Sequence, residues 1–515
     1  MNRVDISVLA GEKNLKRWRV YKFMTNSEGY APLTVAIIGT GFGGLCMAIQ
    51  LKKAGINSFM IFEKADKVGG TWRDNTYPGA ACDVPSHLYS FSFEPKYDWT
   101  RKYSQQSEIF DYLQHCVDKY RLAPHIRFNT EIQEITFDEK TALWHFKTTN
   151  EEEFTTKILV SACGQLNRPA YPKIEGRESF AGMQFHSARW NHDYDLRGKK
   201  VAVIGTGASA IQFVPEVVKQ AEHVILFQRT PPWVMAKYDR AYTSFEKTLF
   251  KDFPLLQTLH RLQIYLTHEI HYFGFQKGNP FNSLMQYLAH HNLETAIKDP
   301  KLRAILTPDY PIGCKRVLIS NDYFPALAKE NVAVLTDDVV EIKAEGVLSD
   351  KGDLYPVDTI IYGTGFQSTD FLAPMKITGR GGLDLNQVWH DGAEAYLGMT
   401  VSGFPNLFIM YGPNTNLGHN SIIYMLESQA QYIMSYMALL QEKNLAYLEL
   451  KRERQSSYNK EIQSQLNQSI WNAGCTSWYK TASGKNTNNW PGLTFVYNYK
   501  TSKVDINDYH VAFNS

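Results

Sequence analysis

Two glycine-rich turns, at 39–44 and 205–210, each lie between an apolar strand-like run and a helical run. They predict an α/β chain with two Rossmann-like dinucleotide-binding domains of three-layer ββα type. Two further runs, 158–161 and 359–362, each enter a glycine, at Gly164 and Gly363. They read as the strands through which the chain leaves the first domain and later returns to it. The second domain is therefore expected to be inserted into the first. The boundaries that follow are an N-terminal arm at 1–33, the first part of the first domain at 34–165 and the second domain at 166–355. The rest of the first domain and a C-terminal segment occupy 356–515.

Length and composition agree with that plan. The chain has 515 residues, enough for about three domains at roughly 100–200 residues each. Apolar residues make up 44%, which excludes global disorder. The 54 basic residues nearly cancel the 52 acidic ones, leaving +2, and no nucleic-acid partner is expected. No apolar run is long enough to span a membrane, and residues 1–33 have no continuous apolar core of a secretory signal. The six cysteines include no close-spaced pair. That argues against a metal knuckle or a redox-active dithiol, and it fits a reducing, cytoplasmic compartment. No metal site is expected.

The elements follow in chain order. Residues 34–38 are a β-branched strand, 39–44 (Gly-Thr-Gly-Phe-Gly-Gly) a tight turn, 45–54 a helix stopped by Gly55, and 58–62 a second strand ending at Glu63. In this unit Gly39 permits the turn, Gly41 lets the backbone approach a pyrophosphate, and Gly44 lets helix and strand pack closely. The helix N-terminus offers unpaired N–H donors to phosphates. Glu63 stands where a carboxylate can accept hydrogen bonds from a ribose diol. This site suits FAD or NAD.

The second unit repeats the pattern with a strand at 200–204, the turn at 205–210, a helix at 211–220 and a strand at 224–227. Its turn carries Gly205, Thr206, Gly207, Ser209 and, in the third glycine position, Ala210. At the ribose position it has Gln228, Arg229 and Thr230 and no acid. A guanidinium and a hydroxyl suit a 2′-phosphate, so this site favours NADPH. One FAD site and one NADPH site make a flavoprotein that passes hydride from nicotinamide to flavin. With no close cysteine pair to receive the electrons, molecular oxygen is the remaining large option. Residues 240–300 read as a helical insertion rich in aromatics. It could cover an apolar pocket, but the buried side of ordinary helices is the simpler reading.

Phe180, Gly182, His186 and Trp190 fall at the spacing F-x-G-x-x-x-H-x-x-x-W. This resembles the fingerprint of Baeyer–Villiger monooxygenases, and the resemblance runs from about residue 34 to the end of the chain. Gly69-Gly70-Thr71-Trp72 and the stretch 77–80, beginning at Tyr77, resemble the family's flavin-binding stretch. Asp83 resembles its active-site aspartate, Lys315-Arg316 its Lys-Arg pair, and Trp478, followed by Gly484-Lys485, a tryptophan that contacts the nicotinamide cofactor. Phe42, Lys64 and Tyr89 join the cofactor-binding set that this resemblance implies. Asn191 and the Gly164-Gln165 pair depart from the commonest family pattern.

The resemblance implies that NADPH, FAD and O₂ convert a ketone to an ester or lactone through a flavin C4a-peroxide, with sulfides as further substrates. Arg316 is the implied cationic partner of the oxygen anions, held by Asp83, while Lys315 faces the NADPH phosphates. His186 is implied to be structural, on the link between domains. The alternatives are an N- or S-oxygenase of the related flavin-containing monooxygenases and a non-catalytic dinucleotide-binding redox sensor. The ketone is expected to be apolar. Its identity and the oligomeric state are not written in these motifs.

Overall fold

A computed structural model describes residues 32–514. The expected N-terminal arm lies outside these residues apart from its last two positions. The first sheet is built around β1 (Leu33–Ile38), which pairs in parallel with β2 (Phe59–Phe62) on one side and β3 (Glu153–Ser161) on the other. An antiparallel extension, Ile132–Asp138 and Leu143–Thr148, continues the sheet beyond β3. Strand Leu407–Ile409 pairs with the C-terminal half of β3, so a late segment of the chain completes this early sheet. The β1 residues Val35, Ala36 and Ile37 are fully buried, as expected of a strand covered on both faces. On one face lies α1 (Phe42–Lys53), itself packed against the 21-residue helix Ile422–Glu442.

The second sheet is wholly parallel. Its strands are β4 (Met183–His186), β5 (Lys200–Ile204), β6 (His223–Phe227), β7 (Val332–Leu335) and β8 (Thr359–Tyr362), in the spatial order β7-β6-β5-β8-β4. Helix α2 (Ala210–Val218) follows β5.

Here the expected topology needs a correction. Residues 359–362 were expected to begin the return to the first domain. They pair instead with β5 and β4, so they complete the second sheet, and the chain rejoins the first only afterwards. The two runs have equivalent jobs in the two sheets. The carbonyl of Ala162, just after β3, lies 2.7 Å from where a Cβ on Gly39 would stand, and that of Gly363, just after β8, 2.5 Å from one on Gly205. Both glycines have φ near +100°, at 101° and 104°. Only glycine fits both the conformation and the close approach.

The insertion forms α3 (Ser244–Asp252), α4 (Pro254–His271), a 3₁₀ turn (Tyr272–Phe275) and α5 (Pro280–Ala296). A capping box between Thr243 and Glu246 starts α3. The expectation that its aromatics line the buried side holds for Phe250 and Phe275 only. Phe245, Phe253 and Phe273 are exposed.

Four histidines are kept neutral by the fold. Burial pushes His186 and His268 down to about 4, and His87 and His419 to about 3. The unfolded chain takes up these protons near the ordinary value of about 6.5. Their contribution to stability is therefore complete above that pH and is lost as pH falls towards 4 and below. The melting temperature should fall steadily between pH 7 and pH 4.5. A flat profile over that interval would contradict the burial of these rings as neutral groups.

Candidate functional site: one cleft across two glycine turns

A single cleft of about 1360 Å³ runs from the first glycine turn to the second. It exceeds the roughly 300–1,000 Å³ of a pocket for one drug-sized ligand. At one end α1 begins after Gly41, and at the other α2 begins after Ser209. Both helix N-termini therefore direct backbone N–H groups and partial positive charge at the same space. Gly41 leaves room in the first turn, since a Cβ there would meet nothing closer than the Gly70 Cα at 3.9 Å. Gly44 has no such room. Its Cβ would stand 1.9 Å from the Gly39 carbonyl oxygen.

These two glycines predict different failures. Gly41→Ala should leave the fold intact and reduce bound flavin. Gly44→Ala should force α1 away from the turn and lower the melting temperature as well. Flavin absorbance per protein and a thermal melt on each variant separate the two, and equal melting temperatures would refute the packing role of Gly44.

Glu63 is 4% exposed and fully engaged. It accepts hydrogen bonds from the Thr40 N–H (3.1 Å) and hydroxyl (2.5 Å) and the Ala65 N–H (3.0 Å), and it pairs with Arg73 at 2.9 Å. The carboxylate is thus fixed at the end of β2 and edges the cleft beside Lys64. Gly70, Thr71 and Trp72 line the same end. The Trp72 indole donates to the Tyr89 hydroxyl (3.1 Å), and Phe42 packs edge-on to Tyr89. Tyr77 lines the cleft but also joins the two sheets' layers, donating to Gln212 of α2 at 2.9 Å.

The second turn lines the other end with Gly205, Thr206, Gly207 and Ser209. The Thr206 hydroxyl donates to the Thr230 carbonyl at 3.1 Å, tying the turn to the end of β6. Arg229 is exposed there and, among the described residues, makes no ion pair with an acid. Lys315 lies close enough for the two like charges to oppose each other. Burial, and then Arg229, lower its pKa, and its ammonium rests 4.6 Å from the Tyr310 ring centroid. Arg229 and Lys315 both line this end of the cleft, and Asp309 partly offsets the charge on Lys315. Gly44 and Ala210 do not line the cleft. Both were expected among the cofactor-binding residues, but they pack beneath their turns, where Ala210 is fully buried.

Between the two ends sits the pair Asp83 and Arg316, 233 residues apart in the chain. Both Nε (3.2 Å) and Nη2 (2.5 Å) of Arg316 donate to one oxygen of Asp83. About a third of each side chain's surface remains open, 29% for Arg316 and 33% for Asp83. Asp83 raises the Arg316 pKa against the opposing effect of burial. Burial works against the charged form of Asp83. The charge and hydrogen bonds of Arg316, with Lys237, outweigh it and hold the carboxyl below the usual range. The guanidinium therefore carries a fixed positive charge with open surface towards the cleft.

Trp478 lines the cleft near this pair, its carbonyl held by Ser368 (2.9 Å) and Asn488 (3.1 Å). His186 is fully buried. Its Nδ1 accepts from the Ala188 N–H, and its ring packs edge-on to Tyr171 and Phe366. It is a packing and capping residue at the end of β4.

The motifs did not single out Gln165 or Tyr411 as site residues. Gln165 is 4% exposed and lines the cleft, and its amide makes no contact of good hydrogen-bond geometry among the described residues, although it lies close enough to the Tyr411 hydroxyl to act on it. Tyr411 lines the cleft with φ of +60° and donates to Asn416. A buried amide with hydrogen-bonding capacity to spare, beside two glycine turns, fits a polar ring edge, so the donor set suits a flavin dinucleotide. Gln165 follows the crossover glycine, in the pair that departs from the commonest family pattern, and those were its only sequence signals.

Sequence spacing also missed a disulfide. Cys314 and Cys475 are bridged with Cα atoms 6.2 Å apart across a sequence separation of 161. The bridge joins the loop of Lys315-Arg316 to that of Trp478. Neither cysteine is among the residues that line the cleft, so the bridge does not face the space between the turns.

Residues 36–271 match the family described as pyridine nucleotide-disulphide oxidoreductase. The chain is 48% identical over 480 residues to a Baeyer-Villiger monooxygenase of Pseudomonas aeruginosa, covering 93% of this chain and 91% of that one. It is 44% identical over 479 residues to another of that name from Streptomyces coelicolor, covering 93% and 92%. Among solved structures, it is similar to an oxidized steroid monooxygenase bound to NADP, with 27% identity, a TM-score of 0.84, and coverage of 94% of this chain and 100% of that one. It is also similar to a cyclohexanone monooxygenase from Rhodococcus sp. Phi1 bound to NADP⁺, with 26% identity, a TM-score of 0.85, and coverage of 94% and 100%.

Proposed function

Since the chain belongs to the Baeyer–Villiger monooxygenase family, we propose that Arg316, held by Asp83, is the cation that serves oxygen transfer in the cleft. The protein is an FAD- and NADPH-dependent monooxygenase that uses O₂ to convert ketones to esters or lactones. The observation that supports this assignment is the Asp83–Arg316 pair, set between two dinucleotide turns in one cleft.

The flavin, when bound, supplies oxygen activation after accepting hydride from NADPH. The residues of the chain do the rest. The first turn and Glu63, its carboxylate fixed by Arg73, would hold the adenosine diphosphate part of FAD. The second turn, Arg229, Thr230 and Lys315 hold the phosphates of NADPH. Trp478 would contact the nicotinamide end. Arg316 places fixed charge where negative oxygen develops, and Asp83 sets its direction. A preorganised charge of this kind in a water-poor site is worth about 3 kcal/mol, roughly a hundredfold in rate. Among the described residues no helix is long and apolar enough to cross a membrane. The Cys314–Cys475 bridge stands against the reducing, cytoplasmic compartment read from the sequence.

The substrate is proposed to be an apolar ketone, with sulfides as secondary substrates. Aerobic NADPH oxidation across a panel of linear, cyclic and aromatic ketones, with products identified by mass, tests this. An ester or lactone carrying one atom from ¹⁸O₂ is expected. Sulfoxides or N-oxides as the sole products would instead favour an amine or sulfide oxygenase, and no turnover at all would favour a sensor.

A further inference from the structure

Helix α4 is turned inside out. Its polar residues Gln257, Arg261 and Glu269 point into the protein. Gln257 donates to the Lys96 carbonyl, Arg261 donates to the His87 carbonyl, and Glu269 accepts from Asn420 and the Thr494 N–H. Leu255, Leu259, Leu262, Leu266, Ile270 and Phe273 point outward, each 40% to 69% exposed. A surface helix normally does the reverse. These six recur at steps of three and four, the spacing of a helix-packing seam. Residues 253–276 contain no charged side chain besides Arg261 and Glu269, so the outer face is uncharged. The face continues onto α5, where Phe281, Leu284 and Leu288 are exposed and the Phe281 ring lies 6.4 Å from Phe273. More than half of the large apolar side chains exposed among the described residues lie in this insertion.

We propose that this face is a two-fold interface with a second copy of the same chain, with α4 packed antiparallel on its equivalent. An isologous contact brings the stripe onto itself, leucine on leucine, with no charge left unpaired. The area is adequate. The stripe together with Phe281, Leu284 and Leu288 exposes 39% to 69% of each of nine large apolar side chains, a patch comparable with the about 800 Å² per partner of a standard stable interface. Depletion of charge and enrichment in Phe and Tyr are features of an interface core. A lipid surface fits less well. A helix lying in a membrane interface carries a Lys- and Arg-rich polar side. Here Lys251 is offset by Asp252, and only Lys277 stands at the other end.

The test is the mass of the intact FAD-loaded protein in solution by light scattering at 1–50 µM, with the double variant Leu259→Glu/Leu266→Glu alongside. The wild type should run at twice 58.9 kDa and the variant at 58.9 kDa. The variant should keep its flavin and its NADPH oxidation, because neither side chain lines the cleft. Leu262→Cys, near the middle of the stripe, adds no charge and should give a disulfide-linked dimer on mild oxidation. A monomeric wild type overturns the proposal. So does a dimer that the double variant leaves intact, or a Leu262→Cys protein that never cross-links. Flotation of a monomeric wild type with phosphatidylcholine/phosphatidylglycerol vesicles, lost in the double variant, would assign the face to lipid and equally overturn it.

Discussion

Arg316→Ala is expected to lower ester formation by about 10²–10³-fold while leaving reduction of the bound flavin by NADPH in place. The expectation rests on the geometry of the pair. Arg316 reaches Asp83 through two N–H groups on one carboxylate oxygen, and it keeps 29% of its side-chain surface open. A guanidinium used only as a structural tie would have no reason to stay open to the cleft. Asp83 strengthens its hold on charge, so pH cannot remove that charge in any working range. Lysine would retain charge but not the planar fork, and Arg316→Lys should recover only part of the rate. Asp83→Asn should fall between the two, since it keeps a hydrogen-bond acceptor and loses the countercharge.

Anaerobic stopped-flow absorbance follows flavin reduction, and product mass follows oxygen transfer. Normal ester yield from Arg316→Ala would remove the residue from the oxygenation step. Loss of flavin reduction alone would move its role to the nicotinamide.

Arg229→Ala is expected to lower kcat/KM for NADPH by about 10–100-fold and to leave the value for NADH nearly unchanged. A hydrogen bond to a charged group contributes about 1.5–3 kcal/mol, and that contact exists only with the 2′-phosphate. Among the described residues Arg229 makes no ion pair with an acid that could rearrange, and its neighbour Lys315 is a like charge that already opposes it. Removing Arg229 therefore relieves repulsion on Lys315, and some phosphate affinity should survive through it. Lys315→Ala on top of Arg229→Ala should remove the remaining preference. Steady-state rates with both nucleotides decide the matter. An unchanged NADPH to NADH ratio in Arg229→Ala would refute the phosphate role, even if both rates fell.

How much was legible in the sequence differs by feature. Both glycine turns were readable because their requirements are local. Positive φ at Gly39 and Gly205 and the close packing at Gly44 concern residues within a few positions of one another. The acid at Glu63 and its replacement by Arg229 were readable because a β-α-β unit has a set length. Asp83 and Arg316 were different. Residue type alone would have left one as a turn aspartate and the other as a surface charge, and only the family resemblance drew them together.

The sequence by itself determined two dinucleotide units, their order and their contrasting ribose positions, because strand, turn and helix preferences act over short stretches of chain. Tertiary structure decided which sheet took Thr359–Tyr362, since two buried β-branched strands are chemically alike and only the available edge beside β5 distinguishes them. It also decided the 161-residue Cys314–Cys475 bridge and which face of α4 met solvent. A helical repeat shows which residues share a face, but what that face packs against depends on groups far away in the chain, here His87, Asn420 and Thr494. Those groups draw the polar side of α4 inward and leave its leucines outside.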